Sequence, residues 1–144
     1  MGKITPRDNP CYCINFRRAA NTLTKFYDKA IGSIGLTINQ FSLLNDINLL
    51  KSCNKSQLAQ YVRLDRTTII RSLHVLSEKG LIEEVPGVNK RNSVVQLTST
   101  GKTFVKEGFP IWKKAQKEVM SVIGIENIAL LHIILTNIEL LDES

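Results

Sequence analysis
The sequence predicts a mainly α-helical fold carrying one small β-hairpin. Three features predict it: apolar residues recur at helical spacing over most of the chain, cap residues punctuate those stretches, and the period changes to alternation once, between residues 81 and 97. At 144 residues, one domain with its own core is expected, with extra helices.

The elements follow in order. After a polar arm, Asn9-Pro10 reads as an N-cap with proline at the first helical position, and Phe16, Ala20, Leu23, Tyr27 and Ala30/Ile31 then keep helical spacing to about Ile31. Gly32 to Gly35 breaks this helix. Thr37 and Gln40 form a capping box, with Leu36 and Phe41 placed as a hydrophobic staple, so a second helix carries Phe41, Leu44 and Ile47 inward. Asn54, with Gln57 three residues on, starts a short third helix whose Leu58, Ala59 and Val62 face the core and which Leu64 closes. Asp65 caps the next helix at once; Ile69, Leu73 and Leu76 form its buried stripe, and Gly80-Leu81 supplies a left-handed stop. Leu81 to Val85, the breaker pair Pro86-Gly87, a basic polar stretch to Ser93 and Val94 to Leu97 make the hairpin. Thr98 caps a long amphipathic helix that Pro110 is expected to kink. A last helix, from about Glu126 to Leu141, is apolar on too many sides for a solvated surface and needs a partner.

Composition narrows the function. Lysine plus arginine outnumber aspartate plus glutamate by 19 to 13, a net charge of +6, which favours a polyanionic partner. Apolar runs such as Ile133 to Leu135 are far shorter than a membrane span and no signal segment opens the chain, so a cytoplasmic protein without a membrane partner is expected. Three cysteines, Cys11, Cys13 and Cys53, make an odd count and argue against a disulfide framework. A lone Cys-x-Cys, with His74 and His132 far along the chain, lacks zinc-cluster spacing, so no metal and no cofactor are expected.

A helix, a tight turn, a second helix and then a basic-tipped hairpin is the order of a winged helix-turn-helix, in which the second helix enters the major groove of DNA. With Ile69, Leu73 and Leu76 buried, the opposite face shows Arg66, Thr67, Thr68 and Arg71. Arginine can grip a guanine edge with two hydrogen bonds, and threonine offers a methyl to thymine or a hydroxyl to phosphate. Lys55, Ser56 and Gln57 at the start of the third helix present amides and a cation suited to a phosphate. Lys90 and Arg91 sit at the wing, where a narrow minor groove concentrates negative potential. Each charge taken singly also fits the solvated side of an amphipathic element. Acidic residues are nevertheless absent from Arg66 to Leu76 and return at Glu78, Glu83 and Glu84, which leaves an all-basic face.

The run Gln57-Leu-Ala-Gln-Tyr-Val-Arg-Leu-Asp-Arg-Thr-Thr-Ile-Ile-Arg-Ser-Leu-His-Val-Leu-Ser-Glu-Lys-Gly-Leu-Ile82 resembles the signature of the MarR family of bacterial and archaeal regulators. Leu97-Thr-Ser-Thr-Gly101 and Gly35-Leu-Thr37 are similar to that family's pattern too. The resemblance implies a homodimer whose first and last two helices intertwine. It divides the chain into a dimerisation arm and helix (1–35), a winged helix-turn-helix (36–98) and C-terminal dimerisation helices (99–144), one intertwined domain overall. It also implies repression at a palindromic duplex operator, relieved by a small ligand or an oxidant. Where the family wing reads Asp-Arg-Arg, this chain has Asn89-Lys90-Arg91 and lacks the carboxylate that would pin the arginine.

Cys11 and Cys13 are placed in the first turn of helix 1, where free amides and the helix dipole favour a thiolate. The family's hydroperoxide-sensing branch carries its reactive cysteine near Cys13, with Tyr27 as a helper, although Arg17 stands where a second tyrosine belongs. Both thiols equally suit a packed interface. Two residues apart on one helix, they point to opposite sides and should not pair. Two other functions stay open: a thiol-dependent redox enzyme using Cys13, and a protein-docking winged helix without DNA binding.

Overall fold
The computed structural model describes residues 9–87 and 93–143. Six helices and a two-stranded hairpin follow in the expected order: α1 (Tyr12–Ile31), α2 (Ile38–Leu50), α3 (Lys55–Val62), α4 (Arg66–Glu78), β1 (Ile82–Pro86), β2 (Ser93–Leu97), α5 (Ser99–Ile123) and α6 (Ile128–Glu139). Short 3₁₀ turns, Gly32–Ile34 and Ile125–Asn127, join α1 to α2 and α5 to α6.

Caps fix most of the boundaries. The Thr37–Gln40 and Asn54–Gln57 boxes are both closed, each side chain bonding the other residue's backbone amide. Thr98 accepts the Gly101 amide at 3.0 Å and donates to the Gly80 carbonyl at 2.7 Å, so one hydroxyl starts α5 and ties it to the end of α4. Gly80, at φ +71°, turns that end: its amide donates to Ser77 and the Leu81 amide to Leu76, a Schellman stop. The start of α1 differs from expectation. Asn9 accepts the Cys11 amide at 2.8 Å across Pro10, which closes a local turn instead of capping the helix. Helix α1 therefore begins two residues late, with Cys11 extended at its N-cap.

One core collects the inward stripes: Phe41, Leu44 and Ile47 of α2, Leu58 of α3, Ile69, Leu73 and Leu76 of α4, then Leu81, Val95 and Leu97. Leu36 joins it beside Phe41, as the staple requires. Leu64 closes α3 as expected: after left-handed Arg63, at φ 57°, its amide donates to the Ala59 carbonyl at 3.3 Å, while its side chain stays half exposed. Strands β1 and β2 pair antiparallel from Ile82–Leu97 to Pro86–Ser93. Cys53 adds a one-residue bridge on the other side of Val95, with amide bonds of 2.7 and 3.2 Å. Helix α5 continues through Pro110. Its Gly101 and Gly108 allow close packing: a Cβ would lie 2.0 Å from the Leu81 carbonyl oxygen or 2.3 Å from the Phe41 ring. No single helix among the described residues is long and apolar enough to cross a membrane.

Candidate nucleic-acid interface
Helix α4 is held by its apolar stripe and its cap. Ile69 and Leu76 are fully buried and Leu73 nearly so. The Asp65 carboxylate accepts the Thr68 amide at 2.7 Å. That bond, aided by the Thr68 hydroxyl and the charge of Arg71, holds the Asp65 carboxyl below its ordinary range. The stripe leaves Arg66, Thr67, Thr68 and Arg71 exposed together. Neither arginine makes an ion pair among the described residues. Arg66, Thr67 and Arg71 thus stand as free rotatable donors on the N-terminal half of a rigid helix, where they can meet base edges or phosphates, while the Thr68 hydroxyl is turned to Asp65.

The start of α3 is less open than the sequence suggests. Lys55 reaches Glu84 of β1 at 2.8 Å, and Ser93 lies 3.5 Å from the same carboxylate. This corrects the expectation of a free cation at Lys55. The pairing joins residues 29 positions apart on separate elements, which no local pattern shows. Gln57 is engaged in its capping box, its amide on Asn54 and its side-chain oxygen accepting the Asn54 amide. Ser56 is exposed beside it. Lys90 and Arg91 lie outside the described residues. Sequence reasoning missed Arg63, which sits in the turn between α3 and α4 and pairs with Glu139 of α6 at 2.6 Å.

The candidate sensing residues Cys13 and Tyr27 do not meet within the chain. Cys11 and Cys13 are exposed, but only Cys13 is inside the helix, so the premise that both lie on α1 is corrected. Tyr27 stands 14 residues further along the same helix, about 21 Å from Cys13 at the usual rise. Its hydroxyl donates to Gln116 of α5, and burial raises its pKa. The ring lines a cavity of about 340 Å³ with Phe41, Phe109 and Trp112. Cys53 is buried, and burial pushes its thiol pKa up, so it is a packing residue. Among the described residues no three His, Cys, Asp or Glu side chains gather as a metal ion would need.

Comparison with known proteins places this geometry. The model of the MarR family matches residues 36–93. The chain is also similar to the M. tuberculosis transcriptional regulator MosR, solved in complex with DNA. The two are 32% identical over 92% of this chain and 96% of that one, with a TM-score of 0.83. The chain belongs to the MarR family. Its fold is shared more widely: a cysteine-to-serine mutant of E. coli MarR complexed with operator DNA superimposes at a TM-score of 0.82 with 18% identity, over 95% of this chain and 99% of that one. A probable transcriptional regulator from Pseudomonas aeruginosa gives 0.83 with 20% identity, over 90% and 97%. The MarR fold thus accounts for the helix order, the hairpin and the placement of α4 as the exposed helix of a helix-turn-helix.

Proposed function
We propose that this MarR-family protein is a homodimeric transcription regulator that binds a palindromic duplex operator through α4 and does not catalyse a reaction. The exposed N-terminal half of α4, with Arg66 and Arg71 unpaired among the described residues and no acid between Arg66 and Leu76, carries the reading. The similarity to MosR, which was solved with DNA, supports it. In this reading residues 36–98 form the winged DNA-binding region, and residues 1–35 and 99–144 build the dimer. Ser56 and Thr67 contact phosphate, while Lys90 and Arg91 reach the neighbouring minor groove. Lys55 serves DNA only by leaving Glu84, at a cost close to that of an exposed ion pair, about 0.2–1 kcal/mol. The cavity beside Tyr27 and Trp112 offers room for a small apolar effector.

Selection of bound sequences from random duplex DNA tests this. A palindrome with half-sites about one helical turn apart is expected, with affinity falling steeply as salt rises. Failure to enrich any sequence, or an affinity indifferent to salt, overturns it. Control by oxidation is a second reading, favoured by the exposed thiols of Cys11 and Cys13. Repeating the selection with hydroperoxide tests it: release by oxidant that is lost in Cys13→Ser is expected, and unchanged binding refutes it.

A further inference from the structure
A groove of about 430 Å³ runs between α2 and the helix-turn-helix. Asn39 and Asp46 of α2 face Thr68 and Ser72 of α4 across it, with Leu43 and Leu64 among its apolar lining. Asp46 and Asp28 are the two half-buried carboxylates among the described residues. Asp28 is satisfied, accepting the Ile38 amide at 2.7 Å. Asp46 has neither an ion-pair partner nor a side-chain hydrogen bond among the described residues. Burial raises its pKa, the mark of a carboxylate that has lost water without gaining a donor.

A half-desolvated carboxylate without donors is stabilised by a group that brings both positive charge and N–H bonds. The groove supplies the rest of a recognition surface: a polar rim from Asn39, Thr68 and Ser72, and apolar walls from Leu43, Val62 and Leu64. We propose that this groove is a binding site for a small organic cation, an ammonium group on an apolar body, with Asp46 as its counter-ion. A ligand seated there touches Thr68, a residue of the face assigned to DNA. It therefore competes with duplex, a consequence that rests on the DNA-binding reading above.

Three probes share one ring system and differ in charge: tryptamine, its alcohol analogue tryptophol, and indole-3-acetate. Each is titrated into the full chain without DNA while amide chemical shifts are followed. Tryptamine should perturb Asn39, Asp46 and Ser72, bind at least about fivefold more tightly than tryptophol, and leave indole-3-acetate the weakest. Asp46→Asn should bring tryptamine down to the level of tryptophol, and Asp46→Glu should keep the preference. Equal affinities for tryptamine and tryptophol overturn the site in the unaltered protein, whatever the stability of the variants. Shifts confined to Tyr27 and Trp112 overturn it as well, because they put the ring in the other cavity. A competition against a selected duplex reads the second consequence: loss of duplex affinity is expected, and tryptamine binding without it overturns the coupling alone. A chain that selects no duplex overturns the DNA-binding reading and the coupling with it, while the titration still decides the site.

Discussion
Arg71 and Asp65 show how single residues divide the work on α4. Arg71 is exposed, packs no core and lends the Asp65 cap only a minor share of its charge stabilisation, so Arg71→Ala should change the melting temperature little. It should cost about 1–3 kcal/mol of duplex affinity if its fork grips a guanine, roughly 5- to 150-fold. Titration of a selected duplex with both proteins checks this, and a loss of stability in place of affinity would reassign the residue to the fold. Asp65 acts on folding instead. Its carboxyl is held below the ordinary range by the Thr68 amide, so the charged form is favoured in the folded chain. The stability this supplies is present above the unfolded-state pKa and is lost as pH falls through the lowered folded-state value. Asp65→Asn keeps a cap acceptor without a charge. The advantage of the wild type over Asp65→Asn should therefore be present at pH 7 and vanish in strong acid, as thermal melts at both pH values would show. An advantage that persists there contradicts the assignment.

At the level of elements, the junction between α4, the hairpin and α5 depends on Thr98 and Gly101. Thr98 both caps α5 and donates to Gly80, so Thr98→Val should lose about 1–2 kcal/mol in denaturant unfolding while keeping the shape of the side chain. Gly101 sits inside α5, where alanine is normally preferred by about 1 kcal/mol. Here a Cβ would meet the Leu81 carbonyl oxygen at 2.0 Å. A backbone oxygen in a tight turn cannot rotate away as a side chain can, so overpacking of about 1–3 kcal/mol or more wins. Gly101→Ala should be destabilising by equilibrium unfolding, and a stabilised variant would show that the turn yields.

The whole molecule has a face that water should not see. In α6, Leu130, Ile133 and Leu135 are 56%, 56% and 46% exposed, and in α1 Phe16 and Leu23 are 45% and 40% exposed. Full burial of such a side chain is worth about 1.5–3 kcal/mol, so covering each from half exposure gains roughly 1 kcal/mol. Several together supply the driving force that a second protomer would use. Ile133→Lys should therefore shift sedimentation from dimer to monomer. It should also weaken operator binding far more than a distant surface change, because two half-sites are then read independently. A wild-type chain that sediments as a monomer at micromolar concentration would refute the assembly.

Local chemistry made most of the fold legible in the sequence. The Thr37, Asn54, Asp65 and Thr98 caps, the Gly80 stop, the stripe of Ile69, Leu73 and Leu76 and the change of period at the hairpin each act within about four residues, and each is found where its spacing places it. The exposed quartet of Arg66, Thr67, Thr68 and Arg71 follows from the same stripe, because burying one side of a helix displays the other. What the sequence could not reveal are pairings between distant segments. Glu84 on Lys55, Glu139 on Arg63, the Cys53 bridge to Val95 and the bare carboxylate of Asp46 all depend on how elements pack. Local spacing sets which way a side chain faces, whereas the charge, donor or void it then meets is set by residues tens of positions away, and only tertiary structure brings those into contact.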